Sequence, residues 1–296
     1  MSSPVLKKLK LNFEDRPKKA FYAGDYGKTA LELYFAFTGE PKTNPPHWSD
    51  TLKWGAGRGV EDQMGVILKD SGIVDPNYNQ KTDGRVEMDR EGIRIHGYID
   101  FISKKGRPIE CKSINNANKY DVYKYQAGFP RESYVGQLAS YMEFLNVAEG
   151  ALFVSSIDGL HTFWIPCKRL KSGKYKCGKL TIDIHAEYKR WAEIYTHFVL
   201  PKVLPDIWEA PYKYDVNTLD WRAQSQNAIR KARSGDAVIG DWRVAFSPWK
   251  DKILELQGVT PGYTNEELKI ILEKTAGYTT WFKKAKKVEP EDESTD

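Results

Sequence analysis

Three charged residues, Asp100, Glu110 and Lys112, stand in two short apolar segments, GYIDFI and RPIECK. Residues 104–106 (KKG) between these segments have the composition of a three-residue hairpin loop, with glycine at the position that favours a left-handed backbone. Pairing of the segments across this loop would place Asp100 directly opposite Glu110. Lys112 would share their face because strand side chains alternate with a period of two. The pattern predicts a hairpin that carries two facing carboxylates and an adjacent ammonium group.

Facing carboxylates require a cation between them. Directly opposite residues of an antiparallel pair have Cβ atoms about 4.5–5.5 Å apart, and like charges placed in this way destabilise a sheet. Mg²⁺ and related hard ions take oxygen ligands from one or two carboxylates together with phosphate and water. The pair is therefore predicted to bind a divalent metal. The alternative is a solvated row of charges on an exposed sheet face, which is common for these residue types, but the apolar flanks favour a functional site.

The same residues belong to a longer set of short motifs. In chain order the set consists of GYID at 97–100, ECK at 110–112 and QLASY at 137–141. It resembles the G-x-x-D, E-x-K and Q-x-x-x-Y motifs of the RecB-like branch of the PD-(D/E)XK nucleases, which includes phage-type exonucleases. Segments 21–27 and 58–61 also resemble the helical lead-in of that branch, so the resemblance covers roughly residues 15–165.

The resemblance implies an α/β fold in which a central mixed sheet is flanked by helices, as in the restriction-endonuclease-like core. It also implies that Asp100 and Glu110 hold one or two Mg²⁺ or Mn²⁺ ions, with the main-chain carbonyl of Cys111 as a further ligand. Lys112 would orient or help to deprotonate the attacking water and offset charge on the phosphate. Glu61 would be an additional metal ligand where many relatives carry histidine. The alternative for Glu61 is an ordinary glutamate on a helix surface.

Predicted DNA contacts follow the hairpin along the chain. Gln137 and Tyr141 are one turn apart on a helix and share a face, and the resemblance implies that they line the DNA groove. Packing of the Tyr141 ring in the core is the alternative. The segment before this helix mixes lysines with tyrosines, which suits binding of an unstacked single strand, unless it is a polar loop with anchoring aromatic side chains. The basic residues predicted to contact DNA or to wall its pocket are Lys104, Lys105, Lys119, Lys124 and Arg131.

These motifs predict a metal-dependent DNA exonuclease that acts in recombination, repair or phage DNA processing. The expected substrate is linear DNA with a free end, and a recombination or single-strand-binding protein is a candidate partner. A structure-selective or site-specific endonuclease of the same superfamily is the first alternative. A catalytically inactive DNA-binding module is the second, and the intact set of two acids and a lysine argues against it.

Composition sets weaker limits on function. The net charge of +5, from 45 basic and 40 acidic residues, only mildly favours a polyanionic partner. The sequence has no run of about 20 apolar residues and no apolar stretch of about 7–15 residues near its start, so we expect neither a membrane span nor a secretory signal. We therefore expect a cytoplasmic protein, of a bacterium or of a phage-infected host cell.

The cysteines, Cys111, Cys167 and Cys177, form no closely spaced pair and are odd in number, which argues against a disulfide framework. CRISPR-associated members of the branch that this chain resembles bind an iron–sulfur cluster through one N-terminal and three C-terminal cysteines. This chain lacks that arrangement, so no cluster is expected. Buried or edge thiols on the two strands of a hairpin are favoured over the alternative, a zinc site formed by His161, Cys167, Cys177 and His185.

Periodicity outlines the elements and the domains. Helices are predicted at about 25–37, 49–69, 131–146 and 185–203, the first of them capped by Asp25. Strands are predicted at 91–101, 107–113, 151–155 and 161–165, and residues 114–130 are expected to be irregular. The expected domains are a nuclease domain at 1–205, an accessory region of unknown role at 206–288 and a disordered acidic tail at 289–296.

Overall fold

Helices and strands alternate along the chain, which divides into two units, Met1–Pro205 and Asp206–Asp296. The computed structural model describes residues 16–46, 48–115, 119–205, 210–259 and 262–276. The acidic tail that the sequence predicts at 289–296 lies outside the described residues. None of the helices within the described ranges has the length and apolar character needed to cross a membrane.

The strands of the first unit are β1 (Phe21–Tyr22), β2 (Arg85–Arg90), β3 (Ile93–Tyr98), β4 (Phe101–Ile102), β5 (Pro108–Ile114), β6 (Glu149–Ser156), β7 (Thr162–Arg169), β8 (Tyr175–Cys177) and β9 (Leu180–Ile182). Its helices are α1 (Ala30–Thr38), α2 (Trp48–Asp70), α3 (Gln80–Asp83), α4 (Lys119–Gln126), α5 (Glu132–Phe144) and α6 (Ile184–Ile194), which continues as a π-helical turn (Tyr195–Val199).

A six-stranded sheet with the order β4-β5-β6-β7-β8-β9 lies at the centre of this unit. β5 and β6 run parallel, whereas the other neighbours are antiparallel, so the sheet is mixed. β1, β3 and β2 form a separate three-stranded sheet in which β1 is parallel to β3. The predicted α/β class with a mixed sheet flanked by helices is confirmed, although the strands belong to two sheets.

Helices cover both faces of the six-stranded sheet. On one face α5 and α6 complete the main core, whose buried members include Ile114, Leu138, Leu152 and Trp191. On the other face α2 forms a second core, whose buried members include Met64, Leu68, Ile109, Cys111 and Phe153. Alternate residues of β5 therefore point towards different helices, and Glu110 and Lys112 are on the side of α5.

The hairpin that carries the charged residues is confirmed. Phe101 pairs with Ile109 in antiparallel register, and the Ser103 N–H donates to the Arg107 carbonyl at 2.8 Å. Gly106 has a φ of +71°, the left-handed conformation that the loop requires. The strand expected at 91–101 is nevertheless interrupted after β3, so that Asp100 lies at a break between two strands.

The first helix begins later than the sequence predicts. α1 starts at Ala30, and the Thr29 hydroxyl accepts a hydrogen bond from the Glu32 N–H at 3.2 Å. Asp25 is instead buried between two lysines, with ion pairs of 2.5 Å to Lys18 and 2.8 Å to Lys28. The prediction that Asp25 caps this helix was therefore wrong, because its carboxylate is engaged by other partners.

The segment expected to be irregular contains a helix. α4 (Lys119–Gln126) lies within residues 114–130, and its side chains Val122 and Tyr125 are buried in the main core. So short a helix shows little periodicity in the sequence, and its burial depends on residues distant in the chain. Farther along, α6 and its π-helical turn end at Val199, before Pro201, rather than near residue 203.

The cysteines are free and buried. Cys167 and Cys177 are directly opposite each other on β7 and β8, whose connecting turn contains Gly173 with a φ of +82°. The predicted hairpin between these two cysteines is confirmed, and both thiols lie in the main core.

The second unit is helical in its described part. Its helices are α7 (Gln226–Arg233), α8 (Trp242–Ala245), α9 (Lys250–Leu256) and α10 (Asn265–Thr275), with a short 3-10 turn at Trp221–Ala223. A small core contains the buried side chains of Trp221, Ile229 and Ile271.

Two glycines allow α2 to lie close to the hairpin formed by β4 and β5. A Cβ atom at Gly57 would lie 2.7 Å from the Ser113 Oγ, and one at Gly65 would lie 2.5 Å from the Phe101 ring. Gly59, between them, has open space around it. These glycines of α2 therefore have different roles.

We expect Gly57→Ala and Gly59→Ala to differ in their effect on stability. Glycine in a helix interior costs about 1 kcal/mol relative to alanine, so Gly59→Ala should raise the free energy of unfolding by about that amount. Gly57→Ala should lose this gain, because the new methyl group displaces the Ser113 hydroxyl. Urea denaturation of both variants measures the difference, and equal stabilisation by the two would contradict the close approach.

Candidate active site

Asp100 lies at the break between β3 and β4, where neighbouring groups fix its side chain. Its Oδ2 accepts a hydrogen bond from the Cys111 N–H at 2.9 Å, and its Oδ1 accepts one from the Gln80 Nε2 at 3.1 Å. The preceding carbonyl, of Ile99, accepts from the Tyr78 hydroxyl. At the break between the strands, the Asp100 carboxylate thus takes the place of a main-chain acceptor for the Cys111 N–H of β5.

Glu110 faces Asp100 from β5 and is fully buried. It forms an ion pair with Lys112, but within the described residues neither of its carboxylate oxygens receives a hydrogen bond of regular geometry. Burial and the nearby Asp100 raise the pKa of Glu110 well above its usual value. Burial likewise raises the pKa of Asp100, although Lys112 and the Cys111 N–H oppose the shift. The predicted pair of facing carboxylates is present and electrostatically strained.

Lys112 brings a positive charge to this pair. Its Nζ contacts the Glu110 Oε1 and lies 5.8 Å from the centre of the Tyr134 ring. Burial tends to lower the pKa of Lys112, but Glu110 and Asp100 outweigh burial and raise it. Lys112 therefore remains protonated at neutral pH.

Glu61 approaches the site from α2. Its Oε1 accepts hydrogen bonds from the Ser113 N–H at 3.2 Å and from the Ser113 hydroxyl at 3.3 Å. Burial raises the pKa of Glu61, whereas Lys112 and Ser113 act to lower it. Glu61 is therefore beside the cluster but tied to β5. Within the described ranges, no three His, Cys, Asp or Glu side chains are grouped in a way that could hold a metal ion.

The donor set still fits a hard divalent cation. The buried Glu110 carboxylate faces the partly buried Asp100, and apart from its ion pair with Lys112 it receives no hydrogen bond of regular geometry from the described residues. Carboxylate oxygens are the ligands that Mg²⁺ and Mn²⁺ prefer. The Cys111 side chain is buried in the core under α2, whereas its main-chain N–H donates a hydrogen bond to the Asp100 carboxylate.

Gln137 and Tyr141 meet on α5, as their spacing predicts. The Gln137 Nε2 donates to the Tyr141 hydroxyl at 2.7 Å. Tyr141 is only 1% exposed and packs against Ala23 and Ile99. A Cβ atom at Gly97 would lie 2.6 Å from the Tyr141 ring, so the glycine of the first motif makes room for the tyrosine of the third. The structure thus places Tyr141 in the core and not on a groove wall.

The other predicted DNA contacts have different surroundings. Lys124 is exposed on α4, whereas Lys119 begins that helix with a side chain outside the described part of the structure. Arg131 forms an ion pair with Asp121 and lies 5.5 Å from the Tyr134 ring centre. Lys104 and Lys105 are in the hairpin loop, where they line a separate groove.

The sequence did not indicate the roles of Gln80 and Tyr134. Gln80 donates a hydrogen bond to one oxygen of Asp100, and the Tyr134 ring centre lies 5.8 Å from the Lys112 Nζ and 5.5 Å from the Arg131 Cζ. Tyr134 precedes Gln137 by three residues on α5, so helical spacing from the Q-x-x-x-Y motif could have indicated it. No local pattern connects Gln80 to the hairpin.

Comparisons with known proteins give distant structural similarities. The chain is similar to the solved structure of SSO0001 (TM-score 0.39, 14% identity, covering 66% of this chain and 82% of the other). It is also similar to an alkaline exonuclease (LHK-Exo) from Laribacter hongkongensis (TM-score 0.36, 14% identity, covering 62% of this chain and 89% of the other). No protein-family model and no curated protein sequence matches the chain.

Proposed function

We propose that the unit Met1–Pro205 is a divalent-metal-dependent nuclease of the RecB-like PD-(D/E)XK type that degrades DNA from a free end. The observation that carries this proposal is the fully buried carboxylate of Glu110, which faces the partly buried Asp100 and contacts Lys112. Burying two carboxylates side by side opposes folding, and groups with strongly shifted pKa values cluster at functional sites. A solvated charge ladder would not be fully buried at Glu110.

In this proposal Asp100 and Glu110 hold Mg²⁺ or Mn²⁺, with the Cys111 carbonyl and Glu61 as further ligands. The bound ion supplies Lewis acidity towards a phosphodiester group. To bind the metal, Glu61 would have to release its hydrogen bonds from Ser113, and both of these bonds are long.

The protein's own groups prepare the site. Gln80 and the Cys111 N–H fix the orientation of Asp100 before substrate binds. The ammonium of Lys112, which contacts Glu110, is placed to offset negative charge on the phosphate. Tyr134 restricts the side chain of Lys112 through a cation–π contact.

A basic and aromatic surface on α4 and the residues after it supports a single-strand substrate. Lys124 is exposed there, and so are the large rings of Tyr123 and Phe129. Aromatic faces stack on bases whatever the sequence, while lysines attract the backbone. Together with the resemblance to end-dependent nucleases, this surface favours exonucleolytic action.

The proposal predicts that linear DNA is degraded and covalently closed circles are spared. We would incubate the full chain with end-labelled linear duplex, single strands and supercoiled plasmid, with Mg²⁺, Mn²⁺ or EDTA, and use Asp100→Asn as the inactive control. Nicking of plasmid at enzyme concentrations that leave linear DNA intact would contradict exonuclease action and favour the endonuclease alternative. Binding without cleavage in either metal would contradict a nuclease.

A further inference from the structure

A groove of about 580 Å³ lies on the face of the sheet away from Glu110 and Lys112. Its walls are the β4–β5 loop, the residues that follow α2, and the exposed side of β7. The charged and aromatic side chains of this basic groove are Lys104, Lys105, Arg107, Glu149, Trp164 and Lys168.

The lining is strongly positive. Four cations face a single carboxylate, a net charge of +3, whereas the whole chain carries only +5. Glu149 is shared between Arg107 at 2.5 Å and Lys168 at 3.8 Å. Lys104 and Lys105 are exposed and form no ion pair with any residue that the structure describes. The groove therefore complements a polyanion.

Trp164 gives the groove an aromatic surface. Its indole is 47% exposed, although large apolar side chains on a strand next to the core are usually covered. The buried Phe153 supports it from the neighbouring strand, with ring centres 5.7 Å apart. A ring held in place and open on one side is suited to stacking on a base.

We propose that the basic groove binds a single-stranded segment of DNA next to the bond that is cleaved. Lysines would contact phosphates, and Trp164 would stack on a base. This inference rests on the proposed nuclease function for its biological role, but its test does not require cleavage.

The position of the groove fits flanking nucleotides better than the reacting phosphate. Cys111, Phe153 and Trp164 are in register on one face of the sheet, whereas Glu110 points to the other. Arg107 is three residues before Glu110, or about 10 Å along an extended chain. A bound strand would pass around the edge of the sheet at β4, outside residues 73–75, which hydrogen-bond to the outer side of that hairpin.

The test measures binding of the full chain to fluorescent oligothymidine in EDTA, by anisotropy over a series of salt concentrations. Trp164→Ala should weaken binding about 10-fold, and Trp164→Phe should retain most of the affinity. The double variant Lys104→Ala/Lys105→Ala should reduce the salt dependence by about 0.7 in the log–log slope for each lost phosphate contact.

Two matched controls separate the groove from general surface effects. Trp242→Ala removes a tryptophan that is 67% exposed in the second unit. Lys171→Ala/Lys174→Ala removes two exposed lysines from the turn between β7 and β8. Neither control should change affinity or salt dependence, and melting curves would establish that every variant is folded.

Wild-type affinity and slope in both groove variants would overturn the proposal, even for an active nuclease. Weaker binding in those variants by a protein that cleaves nothing would support the groove and contradict the nuclease. A loss of binding to polyglutamate, with oligothymidine binding unchanged, would assign the groove to an acidic protein partner and would also overturn the proposal.

Discussion

Lys112→Ala and Asp100→Asn should each reduce the rate of DNA cleavage by about 100-fold or more. In the proposed site both side chains would lie where charge develops on the phosphate, and loss of one such interaction typically has this effect. Asp100→Asn keeps the size of the side chain and its acceptor oxygen for the Cys111 N–H. The measurement is single-turnover cleavage at saturating enzyme, so that changes in DNA affinity do not enter the rate.

Stability has to be controlled in this experiment. Lys112 is the cation that contacts the buried Glu110, and removal of one partner from a buried ion pair costs about 3–5 kcal/mol. The assays therefore contain Mg²⁺ and are run well below the melting temperature of each variant. Lys176→Ala, an exposed lysine on β8 of the same sheet, is the matched control and should keep full activity. Near wild-type cleavage rates in Lys112→Ala or Asp100→Asn would contradict the proposed active site.

Divalent metal should raise the melting temperature, and the increase should be larger at pH 8 than at pH 5.5. A ligand that binds only the folded state stabilises it by about 2.7 kcal/mol at 100 times its dissociation constant. In the proposed site Mg²⁺ and Mn²⁺ would relieve the repulsion between Asp100 and Glu110, and protons would compete with metal for the same oxygens. Ca²⁺ should bind as well but should not support cleavage, because of its looser coordination.

Without metal, the stability of the folded protein should instead decrease as the pH rises. The pKa values of Asp100 and Glu110 are raised in the folded state, so the folded protein binds protons more tightly than the unfolded chain. Their stabilising contribution is complete below the unfolded pKa values, near 4, and is lost as pH rises through the folded values. The raised pKa of Lys112 adds no change in this range, since lysine stays charged in both states.

Glu110→Gln is the variant that tests both the stabilisation by metal and the pH dependence of the metal-free protein. It removes one carboxylate at nearly constant volume, so the metal-free protein should lose less stability between pH 5.5 and pH 8 than the wild type. The same variant should no longer be stabilised by Mg²⁺ or Mn²⁺. Melting curves of the wild type that do not respond to millimolar Mg²⁺ or Mn²⁺ would contradict a metal between Asp100 and Glu110.

The sequence by itself determined the hairpin that carries Asp100 and Glu110. Period-two alternation and a glycine in a three-residue loop are local properties, and they set the register that places Asp100 opposite Glu110. The spacing of Gln137 and Tyr141 likewise determined that these side chains meet on one helix. Such features depend on residues that are close together in the sequence, within one hairpin or one helical turn, so their geometry follows from the local backbone.

Only the tertiary structure decided how these pieces are surrounded. Gln80 reaches Asp100 from α3, and Gly97 makes room for Tyr141 from 44 residues away. Lys104 and Lys105 were expected beside the proposed active site, yet they line a groove on the opposite face, where the β4–β5 loop lies against Gly72 and Ile73. These relations come from packing between distant elements, since the burial of a side chain depends on what covers it and not on its neighbours in the chain.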